Sequence, residues 1–187
     1  MRNNAVKAPD RIETARLVLR RPQAADAEAI FERYARDPEV TRYVGWPAHQ
    51  SVADTRAFLA FNDAEWARRP AGPYLVESRS DGVLLGGTGL AFETTSRAAT
   101  GYVLARDAWG KGYASEALQA MVGLARDLGV RRLYALCHAE HRASWRVLEK
   151  CRFVREATLR QYMAFPNLAP GELCDVFCYA TILEPRE

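Results

Sequence analysis

At 187 residues, with 49% hydrophobic and 26% charged side chains, the chain suits one domain built on one sizeable core. A formal net charge of +3 provides no concentrated basic face of the kind nucleic-acid binders use, although a mild positive bias helps attract an anionic cofactor. No apolar run approaches the length that crosses a bilayer, so neither nucleic acid nor membrane is an expected partner. Residues 1–10 are polar and read as an N-terminal extension, not a signal peptide. Residues 11–187 read as a single domain, and the expected location is the cytosol.

Leu17-Val18-Leu19, between arginines, predicts a short first strand. A helix follows with Ala27, Ile30, Phe31 and Tyr34 on one face, and Pro38 marks its end. Residues 41–49, with Gly45 and Pro47, read as a loop whose Tyr43, Val44 and Trp46 are either a lid over the core or part of a binding site. Ser51-Val52-Ala53-Asp54 has the form of a capping box, opening a helix with Val52, Leu59 and Trp66 toward the core and ending in residues 68–73. Strands are then predicted over 74–78, 84–93 and 99–105, with a turn at Ser80-Asp81-Gly82.

From about residue 112 to 128, Ala114, Ala117, Leu118, Met121, Val122 and Ala125 step by three and four, which makes one apolar helical stripe. Gly129 is placed to end it. A strand over 132–137, a short helix over 143–151 and strands over 153–160 and 175–183 complete the chain. Residues 164–173, with Pro166, Pro170 and Gly171, form a loop long enough to reach over an active site. The order of elements predicts a mixed α/β (α+β) domain around a single sheet.

Cys137, Cys151, Cys174 and Cys178 include no CxxC pair, and His138 and His141 lack further ligands, so no metal is assigned and the thiols are expected to be reduced. The stretch most informative about chemistry is residues 102–116. A strand runs through a turn with Gly110 and Gly112 directly into the amphipathic helix. Free backbone N–H groups and the positive end of the helix dipole meet there, which is a site for phosphate oxygens. Glycine lets the backbone approach an anion closely, and Lys111 adds a cation beside it. Taken alone, two glycines before a helix would equally be a plain turn.

Trp109-Gly110-Lys111-Gly112-Tyr113-Ala114-Ser115-Glu116-Ala117-Leu118, followed downstream by Ser144-Trp145-Arg146-Val147-Leu148-Glu149-Lys150-Cys151-Arg152-Phe153, resembles the GNAT superfamily of acyl-CoA N-acyltransferases. The branch that includes the ribosomal-protein-alanine N-acetyltransferases is the most similar. The resemblance starts at Glu13-Thr14-Ala15-Arg16-Leu17 and runs to the last strand near Tyr179. It implies a central, mostly antiparallel sheet flanked by helices, and acetyl-CoA as cosubstrate. Tyr102, Val103 and Leu104 would present backbone groups to the pantetheine arm, and the amides of Gly110, Lys111, Gly112, Tyr113, Ala114 and Ser115 would hold the pyrophosphate. Ser144 matches the serine of the family's N-x-x-S segment, near the thioester sulfur, although it could equally be only a cap of its helix.

Three positions depart from the family pattern. Asp107 stands where Gln or Arg is usual, with Arg106 adjacent to replace the charge. His141 replaces the asparagine of N-x-x-S, and three readings stand: cofactor contact, proton carrier or surface residue. Arg152 replaces a common glycine, at a cost of roughly 1 kcal/mol if the position stays left-handed. Glu93 and Asp175 are the candidates for a general base. The acceptor is expected to be a primary amine, a protein N-terminal α-amine ahead of a small-molecule amine. A non-catalytic acyl-CoA sensor is the rival from another class, and a homodimer is common among similar proteins.

Overall fold

The computed structural model describes residues 7–184, and its chain opens on a hairpin of β1 (Arg11–Glu13) and β2 (Leu17–Arg20). Two short helices follow, α1 (Ala27–Ile30), which continues into a π-helical turn (Phe31–Ala35), and α2 (Pro38–Thr41). Next come α3 (Val52–Arg68), β3 (Pro73–Ser78), β4 (Leu84–Phe92) and β5 (Arg97–Leu104). The remainder is α4 (Tyr113–Asp127), β6 (Arg132–His138), α5 (Arg142–Lys150), β7 (Val154–Ala164) and β8 (Leu173–Ile182). The strands form one sheet in the order β1-β2-β3-β4-β5-β6-β8-β7. Every neighbouring pair is antiparallel except β5 and β6.

Helices cover both faces of the sheet. On one face α4 buries Ala117, Leu118, Met121 and Ala125 completely, as its stripe predicts, while Ala114 and Val122 sit half-buried at its margin. Each large apolar side chain so buried contributes about 1.5–3 kcal/mol. On the other face Ile30, Tyr34 and Leu59 pack over Leu75, Leu84 and Ala105. The buried side of α3 holds Thr55 and Asn62 as well as the expected Leu59 and Trp66. Polar residues hide such a stripe from a hydrophobicity pattern.

Several boundaries differ from the sequence reading. The strand at 17–19 is second, because Arg11-Ile12-Glu13 pairs with it and is too short to show a period. Pro38 follows the end of the first helical segment at Ala35, as expected, and also starts the next: it occupies the first turn of α2, where the missing N–H costs nothing, and the Asp37 carboxylate accepts from the Glu39 N–H at 2.9 Å. The extension ends earlier than residue 10. The Ala8 N–H donates to the Pro70 carbonyl at 2.8 Å, and the Tyr74 hydroxyl donates to the Pro9 carbonyl at 2.6 Å. Residues 1–6 of that extension, and residues 185–187, lie outside the described residues.

β7 outruns its predicted end at 160 because a bulge between Leu159 and Met163, with Gln161 at φ 44°, carries the ladder on to Ala164. The loop after it is fastened to the loop at 41–49 by one side chain. The Asn167 amide donates to the Thr41 and Trp46 carbonyls and accepts from the Ala48 N–H, each at 2.8 Å.

Arg152 has φ 65°, the left-handed conformation that its place two residues past α5, just after the Cys151 C-cap, requires. The Phe153 N–H donates to the Leu148 carbonyl at 3.0 Å and the Arg152 N–H to the Glu149 carbonyl at 2.9 Å, which closes the helix. Arg152→Gly should therefore raise stability by about 1 kcal/mol. The thermal midpoint should rise by about 2–4 °C for a domain of this size. A midpoint that falls would mean that the Arg152 side chain contributes more than its backbone strain costs.

Candidate active site

β5 and β6 pair at only three positions, Arg97 with Arg132, Ala98 with Leu133 and Ala99 with Tyr134. Beyond them the two strands part. β5 stays with β4 up to the Gly86–Leu104 pair, whereas β6 stays with β8 up to the His138–Val176 pair. From Thr100 onward one edge of β5 has no strand partner, so its backbone groups are open to a ligand. The split opens a cleft of about 550 Å³, lined among others by Tyr102, Gly112, Ser115, Cys137, His141 and Ser144. That volume falls within the range of small-molecule and cofactor sites. Tyr102, Val103 and Leu104 all line it, but the Leu104 carbonyl already accepts from the Trp109 indole N–H at 2.7 Å.

The glycine turn reaches the cleft as expected. Gly110 and Gly112 have φ of 73° and 80°, and Gly112 is the N-cap of α4. A helix of this length ends in free N–H groups and a positive dipole end, and both face the cleft beside Tyr113, Ala114 and Ser115. Lys111 differs from expectation: it is exposed and not among the cleft-lining residues.

Sequence reasoning missed what holds this turn in place. The Glu116 carboxylate, in the first turn of α4, accepts from the Thr14 hydroxyl at 2.6 Å, the Arg16 N–H at 2.8 Å and the Arg16 Nε at 2.7 Å. Arg16 also donates from Nη1 to the Lys111 carbonyl at 2.9 Å and lies over the Tyr113 ring. Burial opposes the Glu116 charge, but the bonds from Thr14 and Arg16 outweigh it and hold the carboxyl below its usual range. The β1–β2 hairpin thus braces the glycine turn, and Arg16 offsets the negative charge of Glu116 beside it. The Thr14-Ala15-Arg16 run within the family resemblance was the available signal, but about a hundred residues separate it from its partner.

Ser144 is not the cap of α5. It is the third helical residue, and its hydroxyl lies 3.1 Å from the Tyr102 hydroxyl, which also donates to the Ser144 carbonyl at 2.9 Å. Tyr102 therefore spans the cleft from β5 to α5. Burial pushes its phenol pKa up, with the Ser144 bond opposing, so it stays protonated. The N-cap of α5 is His141, whose ring lines the cleft and stacks on Tyr43 with centroids 4.4 Å apart. His138 tilts against the same Tyr43 ring and meets Phe165 edge-on. His141 is no surface residue, and Tyr43 and Val44 belong to the cleft wall.

Burial pushes the His141 pKa down to about 4, with His138 adding in the same direction, so the imidazole is neutral at physiological pH. Burial also lowers His138 and His49. A histidine lowered on folding has its full stability above the unfolded pKa of about 6.5 and loses it as the unfolded chain alone takes up protons. Stability should thus fall between pH 6.5 and 4, with His141 accounting for about 2–3 kcal/mol. Urea unfolding at pH 7 and pH 4.5, in the native protein and His141→Asn, checks this. Equal pH slopes in the two proteins would contradict it.

The other expected site residues are not brought together. Glu93 lies at the β4–β5 hairpin, the end of the sheet where β5 and β6 are still paired. The Tyr134 hydroxyl donates to it and Arg97 pairs with it, and the two hold its carboxyl below the usual range. Asp175 is exposed, and its carboxylate accepts from the Gln161 N–H at 2.9 Å, which satisfies the β7 bulge. Neither lines the cleft. Arg106 does not replace the charge missing at 107, because it is paired with Asp37, while Asp107 accepts from Arg33 at 2.9 Å. Cys137 lines the cleft, but burial pushes its thiol up to about 12, so it is not a thiolate at neutral pH. Among the described residues no cluster of His, Cys, Asp and Glu has the makings of a metal site, and no helix is long and apolar enough to cross a membrane.

The fold has close counterparts. Residues 16–154 match the model of the acetyltransferase (GNAT) domain. The uncharacterized N-acetyltransferase YoaA of Bacillus subtilis is 34% identical over 94% of this chain and 98% of its own length. A GNAT-family acetyltransferase from Bacillus anthracis superposes with a TM-score of 0.80 at 28% identity, over 92% of this chain and 98% of that one. RimL, a ribosomal L7/L12 α-N-protein acetyltransferase solved in complex with coenzyme A, gives a TM-score of 0.79 at 25% identity over the same shares. With its split sheet and helix-capped glycine turn, the chain belongs to the GNAT family and is an acetyl-CoA-dependent N-acetyltransferase.

Proposed function

We propose that the acceptor is a protein N-terminal α-amine. One observation carries this reading: among the described residues lining the cleft, the only carboxylate is Glu39, on α2, and it is exposed. An exposed carboxylate is a weak base. An α-amine, with a reference pKa of about 7.7–8.0, supplies a usable neutral fraction near pH 7.5, whereas a lysine side chain near 10.4 does not. RimL, named as an α-N-protein acetyltransferase, supports the same choice. The chain is then expected to work in the cytosol on a protein partner.

In this reading the free edge of β5 aligns the pantetheine arm, and the amides from Gly110 to Ser115 hold the pyrophosphate. Neutral His141 accepts a hydrogen bond where the asparagine of relatives stands. The acetyl group passes directly to the amine, so the cleft's contribution is orientation and a proton at sulfur. Ser144 relays that proton: its hydroxyl gives one to the sulfur as the C–S bond breaks and takes one from the attacking nitrogen as the C–N bond forms, while Tyr102 holds the Ser144 hydroxyl in place.

Release of free thiol at pH 7.5 should be measured with three acceptors: a lysine-free peptide, an α-blocked peptide with one lysine, and a small polyamine. The first should have a kcat/KM at least about a hundredfold above the others, the order of the difference in neutral fraction. Faster turnover of the polyamine would make this a small-molecule acetyltransferase, and the α-amine assignment would fall.

A further inference from the structure

The cations of the cleft are not where the glycine turn suggested. Lys111 stays outside; Arg42, just past α2, is one cation of the lining, and α5 supplies two more. Ala143, Arg146, Val147 and Lys150 all line the cleft, at the spacing of a single helix face. Cys151, the next residue, brings its thiol to 3.5 Å from the Ser115 carbonyl in the first turn of α4. This end of α5 is therefore directly beside the anion-binding turn. Arg146 and Lys150 are both exposed, and neither forms an ion pair with a carboxylate among the described residues. The neighbouring Glu149 is engaged elsewhere, accepting from the Tyr179 hydroxyl at 2.9 Å. The negative end of α5 would by itself favour a cation at Lys150. No such reason applies to Arg146, in the middle of the helix with its guanidinium against the Trp145 ring.

We infer that Arg146 and Lys150 form a subsite for a phosphomonoester, the 3′-phosphate of coenzyme A, with Val147 between them offering apolar surface to the adenosine. This rests on the reading that acetyl-CoA lies along β5 with its pyrophosphate at α4. Neutral amides at a helix end can carry a pyrophosphate. The 3′-phosphate is a separate, more charged group at the solvent-exposed end of the molecule. Flexible cations with no competing carboxylate suit it, and Arg adds a fork of donors. The subsite makes α5 a discriminator between coenzyme A and its dephosphorylated form, and it leaves the acyl end untouched.

Calorimetric titration of the full chain with coenzyme A and with dephospho-coenzyme A tests this. At low salt the native protein should bind coenzyme A about tenfold more tightly, and the ratio should shrink as salt rises, as exposed charge pairs require. In Arg146→Gln/Lys150→Gln the ratio should fall to about one while affinity for dephospho-coenzyme A stays the same. Lys7→Gln, which removes an exposed charge outside the cleft, should keep the ratio and so exclude a general effect of net charge. Equal binding of both ligands by the native protein, or a tenfold ratio that survives in the double variant, overturns the subsite and leaves the α4 cradle standing. Binding of neither ligand to the native protein would overturn the placement of acetyl-CoA itself, and the subsite with it.

Discussion

Ser144→Ala should lower kcat about a hundredfold, the usual scale for a lost proton donor. The KM for acetyl-CoA should change little, because the proton at sulfur matters in the transition state and hardly in the bound ground state. The contact of 3.1 Å between the Ser144 and Tyr102 hydroxyls adds a second measurement. Tyr102→Phe removes only the group that orients Ser144, so its loss should be smaller, about tenfold in kcat. In the Ser144→Ala background the Tyr102 change should cost nothing more, since residues acting through one contact are not additive. Losses that simply multiply would mean that Tyr102 and Ser144 act independently. Full activity in Ser144→Ala would remove its catalytic role.

Gly112→Asp should abolish acetyl-CoA binding within the measurable range, with a loss of at least about a hundredfold relative to Gly112→Asn. The pair of variants separates charge from shape. At φ 80° a bulky or β-branched residue would endanger the fold, but Asp and Asn both tolerate the left-handed region and both cap helices. A Cβ at this position would stand 3.4 Å from an Arg16 guanidinium nitrogen, ordinary contact that needs no rearrangement. The two variants should therefore fold alike, which a thermal melt without ligand establishes. They differ in one negative charge placed beside the pyrophosphate, a repulsion of several kcal/mol near a protein surface. Acetyl-CoA should raise the melting midpoint of the native protein and Gly112→Asn, and not of Gly112→Asp. Equal shifts in both variants would place the phosphates elsewhere.

The sequence by itself determined the fold class, the family and the position of the glycine turn before α4, because each of these is written in local order. The stripe from Ala117 to Ala125 fixes α4 by its period, Gly110 and Gly112 mark the turn at its start, and the spacing to Ser144 places the second motif. The left-handed strain at Arg152 was legible for the same reason, since a helix end is a local event. What the tertiary structure alone decided is which side chains meet across the split sheet. Glu93 and Asp175 stand at plausible chain positions for a base, yet one is paired at the closed end of the sheet and the other satisfies a bulge. The Arg16–Glu116 brace, the Tyr102–Ser144 contact and the stacking of Tyr43 on His141 join residues from different elements. No periodicity connects such partners. Their contact depends on where β5 and β6 part, and that is set by the pairing of each strand with its other neighbour. The neutrality of His141 follows from the same packing, because burial beside the Tyr43 ring removes the water that would stabilise its charge, with nearby His138 adding to the effect.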